Sequence, residues 1–357
     1  MNQNQMNEFR SQVNGKSLNI NCNSELKNIQ FVNEFQIEEL EISHCKNLIP
    51  KLNSKNIKQL NLQFNGIKQF EFDLPNLETL SVQENNGESK YILQHLQGFE
   101  KLQELIITGY KEIDLTQIKM KLNKLWLWNC NLTNIEKLLK LENLTELVLY
   151  DNGNIDINPI QHMKTIQILN LGCCGLKNIA PLKYLVQLKQ LVLSGNENID
   201  IHFIQYLKQL TTFNLELCSL IDLTYIKPLI NLKELNIKCN NIVYLEPLKD
   251  LKQIINLYSQ SNKIIDAINL PNANIFNIND QELPDDEEIM HAKTIRDINQ
   301  PIAQLREITY KYLIYKSKIT LKIKNINKSL QMIYIIKNQF DTQVESLFLQ
   351  LNSHQDQ

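Results

Sequence analysis

Leucine and isoleucine recur along this chain in a fixed phrase, LxxLxLxx(N/C)x(L/I), with polar residues between them. The phrase starts at Ile37, Ile57, Leu77, Leu102, Leu122, Leu144, Ile166, Leu188, Leu210, Leu232 and Ile254. The spacings are 20, 20, 25 and 20 residues, then 22 six times. Degenerate copies fall near Gly15 and Ala273. "LTELVLYDNGNIDINPIQHMKT" from Leu144 matches "LKQLVLSGNENIDIHFIQYLKQ" from Leu188, an offset of 44, so neighbouring repeats alternate in flavour. Positions 4 and 6 are apolar and 5 and 7 mostly polar, the period-2 signature of a strand with one buried face. Position 9 turns the chain, and later Ile and Leu residues face the strand from an opposite wall. Pro159, Pro181 and Pro247 share one phase and Pro228 lies nearby. That wall is therefore expected to hold short turns or 3₁₀ segments instead of long helices. A single repeat cannot bury its apolar face, whereas a stack can.

These residues resemble the leucine-rich repeat family over roughly 15–283. The second half of each unit, as in "CNNIVYLEPLKDLKQI" from Cys239, is similar to the 22-residue subclass. The leucine-rich regulatory subunit of type-one protein phosphatase and the bacterial internalins share that subclass. The resemblance implies an α/β right-handed solenoid, a curved horseshoe with a parallel sheet on its concave side. Residues 1–14 are expected to form a polar N-terminal tail and 284–357 a helical tail. The tail carries a heptad from residue 302, with Leu305, Tyr312, Ile319, Ile326, Ile333, Phe340 and Leu347 at d. Such a run reads as a coiled coil or a long amphipathic hairpin, and homodimerisation through it is one expected use. Lys316, Lys337 and Thr309 weaken position a, and "KITLKIK" (318–324) alternates like a strand.

The register assigns the cysteines. Cys45, Cys130, Cys174 and Cys218 sit at position 9, where Asn152, Asn196, Asn240 and Asn262 stand in other repeats. Strands of neighbouring repeats lie about 4.8 Å apart, so thiols two repeats apart are beyond disulfide or metal reach. Cys22, Cys173 and Cys239 fall at position 8. All seven cysteines are expected to be reduced and structural, with no metal and no cofactor.

Phosphate loops and hydrolase motifs such as GxxxxGK[ST], HExxH and GxSxG are missing from the sequence. His162 and His202 fall on convex or connecting segments and read as surface residues. Asp156 and Asp200 in the two "NIDI" stretches read as turn residues. No catalytic residue emerges, so the expectation is a non-enzyme.

The concave positions carry the functional signal. "KLWLWNC" (124–130) places Leu125 and Leu127 in the core, so Trp126 and Trp128 point outward. With Ile106, Val148, Tyr150, Val192 and Glu216 they form a partner-binding patch between polar wings. Cross-strand stacking alone contributes about 0.2–1 kcal/mol per pair. Exposed apolar clusters with polar rims mark interaction sites, and Trp and Tyr are enriched in hot spots. The expected role is a non-catalytic scaffold holding a protein on the concave face. A regulatory subunit of a protein phosphatase is the narrower alternative.

Composition narrows this little. The 357 residues are 43% hydrophobic and 21% charged with net charge −2, giving no global attraction to nucleic acid or membrane. Between Pro301 and Phe340 eight Lys or Arg face one Glu, read as a solvated helix face. The polar start "MNQNQMNEFRSQVNGKSLNI" lacks a signal-peptide core, so a cytoplasmic (or nuclear) protein is expected, not a surface adhesin.

Overall fold

The computed structural model describes residues 9–11, 13–21, 29–45, 51–63, 71–88, 93, 96–111, 113–265 and 274–276. The tail at 284–357, with its heptad, and Cys22 lie outside the described residues.

Each repeat contributes one short strand to a 14-stranded sheet whose spatial order follows the chain. The pairing from Ser17–Asn21 onward is parallel, with one register shift between Gln83 and Gly87, and Leu125, Leu147, Leu169, Leu191, Phe213, Leu235 and Leu257 stand side by side. These position-4 residues are wholly buried, as are Leu127, Leu149, Leu171, Leu193, Leu215 and Ile237 at position 6. The predicted alternation is thus the burial pattern of the sheet. Opposite it run 3₁₀ turns, among them Asn158–His162, Ala180–Tyr184, Ile201–Tyr206 and Glu246–Leu248. Pro159, Pro181 and Pro247 open three of them, where a missing N–H leaves no turn bond unmade. Asp156 and Asp200 act as turn residues: Asp156 Oδ1 accepts from Asn158 N at 2.9 Å and Asp200 Oδ1 from His202 N at 3.0 Å.

Three features depart from the expected pattern. The 20-residue repeats starting at Ile37 and Ile57 return through extended segments, Lys51–Asn53 and Glu71–Asp73, which pair as a second parallel sheet. Extended chain rises about 3.3 Å per residue against 2.0 Å in a 3₁₀ turn, which lets these two repeats close the coil with few residues, although the equally short repeat starting at Leu102 keeps a 3₁₀ turn at Leu115–Gln117. The N-terminal segment joins the fold: Val13–Asn14 turns back antiparallel on Ser17–Leu18. Phe9, 5% exposed, stacks on Phe31 at 4.7 Å, so part of the stretch read as a polar tail covers the end of the core. His202 is buried, not a surface residue, because its ring packs against Phe203 and Tyr225 while its Nδ1 meets the exposed Asp200 carboxylate.

Position 9 holds the turn together. Asn196 Oδ1 accepts from the backbone N–H groups of Cys174 and Leu176, and its Nδ2 donates to the carbonyls of Leu171 and Leu193. Asn152 and Asn240 repeat this arrangement. The cysteines in alternate repeats make a smaller bond, Cys174 Sγ to Leu149 O and Cys218 Sγ to Leu193 O. Each side chain serves backbone groups that the sheet and the turns leave unpaired. The residue before it, position 8, adopts a left-handed conformation in repeat after repeat: His44, Asn129, Asp151, Cys173, Gly195, Leu217, Cys239 and Ser261 all have φ between 51° and 69°. Its N–H makes the last rung to the next strand, as in Asp151 N to Gly172 O at 2.9 Å. The left-handed step then swings position 9 into the core.

Candidate functional site

The strand Lys124–Trp128 alternates as its sequence demands, with Leu125 and Leu127 inside and the tryptophans on the open face. The two indoles differ. Trp126 is half-buried and its Nε1 donates to Glu146 Oε1 of the next strand at 2.8 Å. Its ring therefore lies across that strand, toward its register partner Val148. Val148 is only 9% exposed, so it supports the patch from beneath instead of offering surface to a partner. Trp128 is 47% exposed and meets Tyr150 edge to face, ring centres 5.2 Å apart and planes at 83°.

Tyr150 leans over the following repeat. A Cβ on Gly172 would stand 2.8 Å from its ring, so the glycine is what lets the ring lie there. Cys173 Sγ donates to the Tyr150 hydroxyl at 3.2 Å. That thiol contact and partial burial push the phenol up to about 12, so it stays protonated and polar. The Asp151 carboxylate next to it is exposed.

Ile106 is the register partner of Trp126 on the preceding strand and extends the apolar strip by one repeat. Val192 and Glu216 lie two and three strands beyond Tyr150, outside the cluster. Glu216 Oε2 accepts from Asn236 Nδ2 at 3.0 Å. The structure thus brings Ile106, Trp126, Trp128 and Tyr150 together and leaves Val192 and Glu216 apart.

Two features escaped the sequence reading. Leu217 is 53% exposed and left-handed with φ 57°, a conformation an apolar side chain rarely takes. A leucine at position 8, where most other repeats carry glycine, cysteine or a polar residue, was its signal. On the N-terminal repeats the concave face holds a polar groove of about 480 Å³, lined by Asn19, Glu39, Glu41, Asn61, Ser81 and Ile106 among others. Asn61 Oδ1 is buried there without a hydrogen-bond partner.

The thiols at Cys130, Cys173, Cys174, Cys218 and Cys239 are in no disulfide. Burial pushes Cys130 up to about 12 and Cys174 and Cys218 up to about 11. Among the described residues no group of three His, Cys, Asp or Glu is placed to hold a metal ion. Nor is any helix among them long and apolar enough to cross a membrane.

No family model matches the chain, and no curated protein matches it. Solved structures do. An internalin of Listeria monocytogenes (inlF) is 20% identical with a TM-score of 0.55, over 78% of this chain and 89% of its own. A leucine-rich repeat protein of Leptospira interrogans is 19% identical with a TM-score of 0.50, over 82% of this chain and 85% of its own. The likeness is one of fold: a leucine-rich repeat solenoid.

Proposed function

We propose that the chain is a non-catalytic scaffold that holds a protein partner on the concave face of its solenoid. The observation that carries this reading is Trp128, an indole left 47% exposed on an ordered sheet and braced by Tyr150. A side chain of that size left in water is costly to fold for no return, and in an interface it is the kind of residue that anchors binding. The contact surface is the strip of Ile106, Trp126, Trp128 and Tyr150, with Val148 as support and Val192 and Glu216 at the far margin. The open sheet favours a protein over a small molecule, which needs a deeper cavity. The buried free thiols suit a reducing compartment such as the cytoplasm.

The test is capture from an extract of the producing cells with the parent and with Trp128→Ser, both first shown to have the same unfolding midpoint. A partner retained by the parent and lost by the variant supports the reading, since truncating a hot-spot residue weakens binding by at least about 2 kcal/mol. Equal retention by both would sink it. Recovery of a protein phosphatase would select the narrower role of a phosphatase regulatory subunit.

A further inference from the structure

The Trp128 and Tyr150 rings stand at 83° with centres 5.2 Å apart, so they form an inner corner with an aromatic face on each side. Gly172 has no side chain, Ser194 is small, and Asn129 is exposed on the rim. Tyr150 is fixed in place from below by Gly172 and Cys173, and Trp128 is fixed by Tyr150. The two rings are therefore a braced pair on the open face, not free rings.

Its charge environment is one-sided. From Lys124 to Leu217, positions 3 to 8 of the five repeats carry three carboxylates, Glu146, Asp151 and Glu216, against one cation, Lys124. Lys124 is ion-paired with Glu104 at 2.7 Å. Glu216 is held by Asn236, a neutral donor, and Glu146 by the Trp126 indole with the Lys124 ammonium acting on it as well. Asp151 stands immediately after Tyr150 and is exposed, close enough to the phenol to act on its ionisation. Aromatic faces attract cations through the ring quadrupole, and a nearby carboxylate adds to the attraction. The same carboxylate would be desolvated at a cost beneath a purely apolar side chain, and it repels an anion.

We infer that this corner is the seat of a cationic side chain, an arginine or a lysine, on the protein partner. The cation lies against the Trp128 and Tyr150 faces, with Asp151 as its counter-ion. The inference rests on the scaffold reading and adds to it the chemistry of the partner's anchor.

The test uses the full chain with 15N-labelled indoles, whose two resonances are assigned with Trp126→Phe and Trp128→Phe. N-acetyl-arginine methylamide and the isosteric, uncharged N-acetyl-citrulline methylamide are titrated separately. The arginine probe should shift the Trp128 resonance and bind about fivefold more tightly than the citrulline probe. Asp151→Asn should bring the two within about twofold, and added salt should do the same. Equal shifts from both probes, no Trp128 shift with either, or an undiminished preference in Asp151→Asn would overturn the inference. Those results leave the capture experiment untouched. Loss of the partner by Trp128→Ser without any cation preference removes only the cation, whereas retention removes the scaffold itself.

Discussion

A single side chain at position 9 can hold more backbone together than the rest of its turn. Asn196 is fully buried and answers four main-chain groups, whereas Cys218 answers a carbonyl of the preceding repeat and one of its own. Asn196→Ala strands the N–H groups of Cys174 and Leu176 and the Leu171 carbonyl, while the Leu193 carbonyl keeps the Cys218 thiol, and the loss should cost roughly 3–5 kcal/mol. Cys218→Ala removes only a weak donor and should cost about 1 kcal/mol. Denaturant melts of the two variants check the ranking, and equal losses would mean that the turn is held by something else. The thiols also set a pH limit. Burial lets Cys130, Cys174 and Cys218 keep their protons when folded up to about 11 or 12, while in the unfolded chain they ionise near 9.0. Their contribution is fully present below pH 9 and is lost as pH rises toward about 11. The unfolding midpoint should fall steeply across that interval, and less steeply in Cys218→Ala.

At the scale of the element, the strand Lys124–Trp128 was legible in the sequence down to the direction of each side chain. Strict alternation with Leu125 and Leu127 admits one register, because a slip of one residue would put both tryptophans in the core. The unequal fates of the indoles were not legible. They depend on Glu146 offering a carboxylate to Trp126 and on Gly172 giving Tyr150 room to stand beside Trp128. Both are cross-strand relations that only the parallel register brings together. Acrylamide quenching separates the indoles: Trp126→Phe leaves Trp128, whose emission should be red-shifted and strongly quenched. Trp128→Phe leaves the half-buried Trp126, with bluer and more protected emission. Identical quenching in the two variants would contradict the geometry. The return segments were legible in the 22-residue repeats, where prolines mark the 3₁₀ turns. They were not in the 20-residue repeats, of which those starting at Ile37 and Ile57 return through the second sheet whereas the one starting at Leu102 keeps a 3₁₀ turn at Leu115–Gln117.

Across the whole molecule, each repeat touches only its neighbours, so stability is a sum of local terms and an end is where it is weakest. The N-terminal end is closed by Phe9, stacked on Phe31, with Phe35 edge-on to Phe31. A reading that saw only polar residues before Gly15 had no signal for this, because one phenylalanine among asparagines has no period. Phe9→Ala should therefore loosen the first strands while leaving distant ones intact. Hydrogen exchange should quicken at Ser17–Asn21 and Glu39–Ser43 and stay unchanged at Thr212–Asn214 and Glu234–Asn236. A uniform change along the chain would show that the solenoid unfolds as one unit.

The alternation of cysteine and asparagine at position 9 has a consequence for how this chain can change length. An asparagine accepts from the N–H groups of the repeat before it, so a cysteine repeat depends on an asparagine repeat following it. Excising residues 188–209 would set Cys174 directly before Cys218 and orphan two N–H groups, whereas excising 188–231 would set it before Asn240 and restore the match. Growth and shrinkage of this stretch by recombination are therefore favoured in steps of 44 residues, the offset at which its sequence repeats. The rule is one of neighbours: an excision that leaves every cysteine repeat followed by an asparagine repeat is silent, as the adjoining Asn240 and Asn262 repeats are, and one that sets cysteine before cysteine leaves a seam.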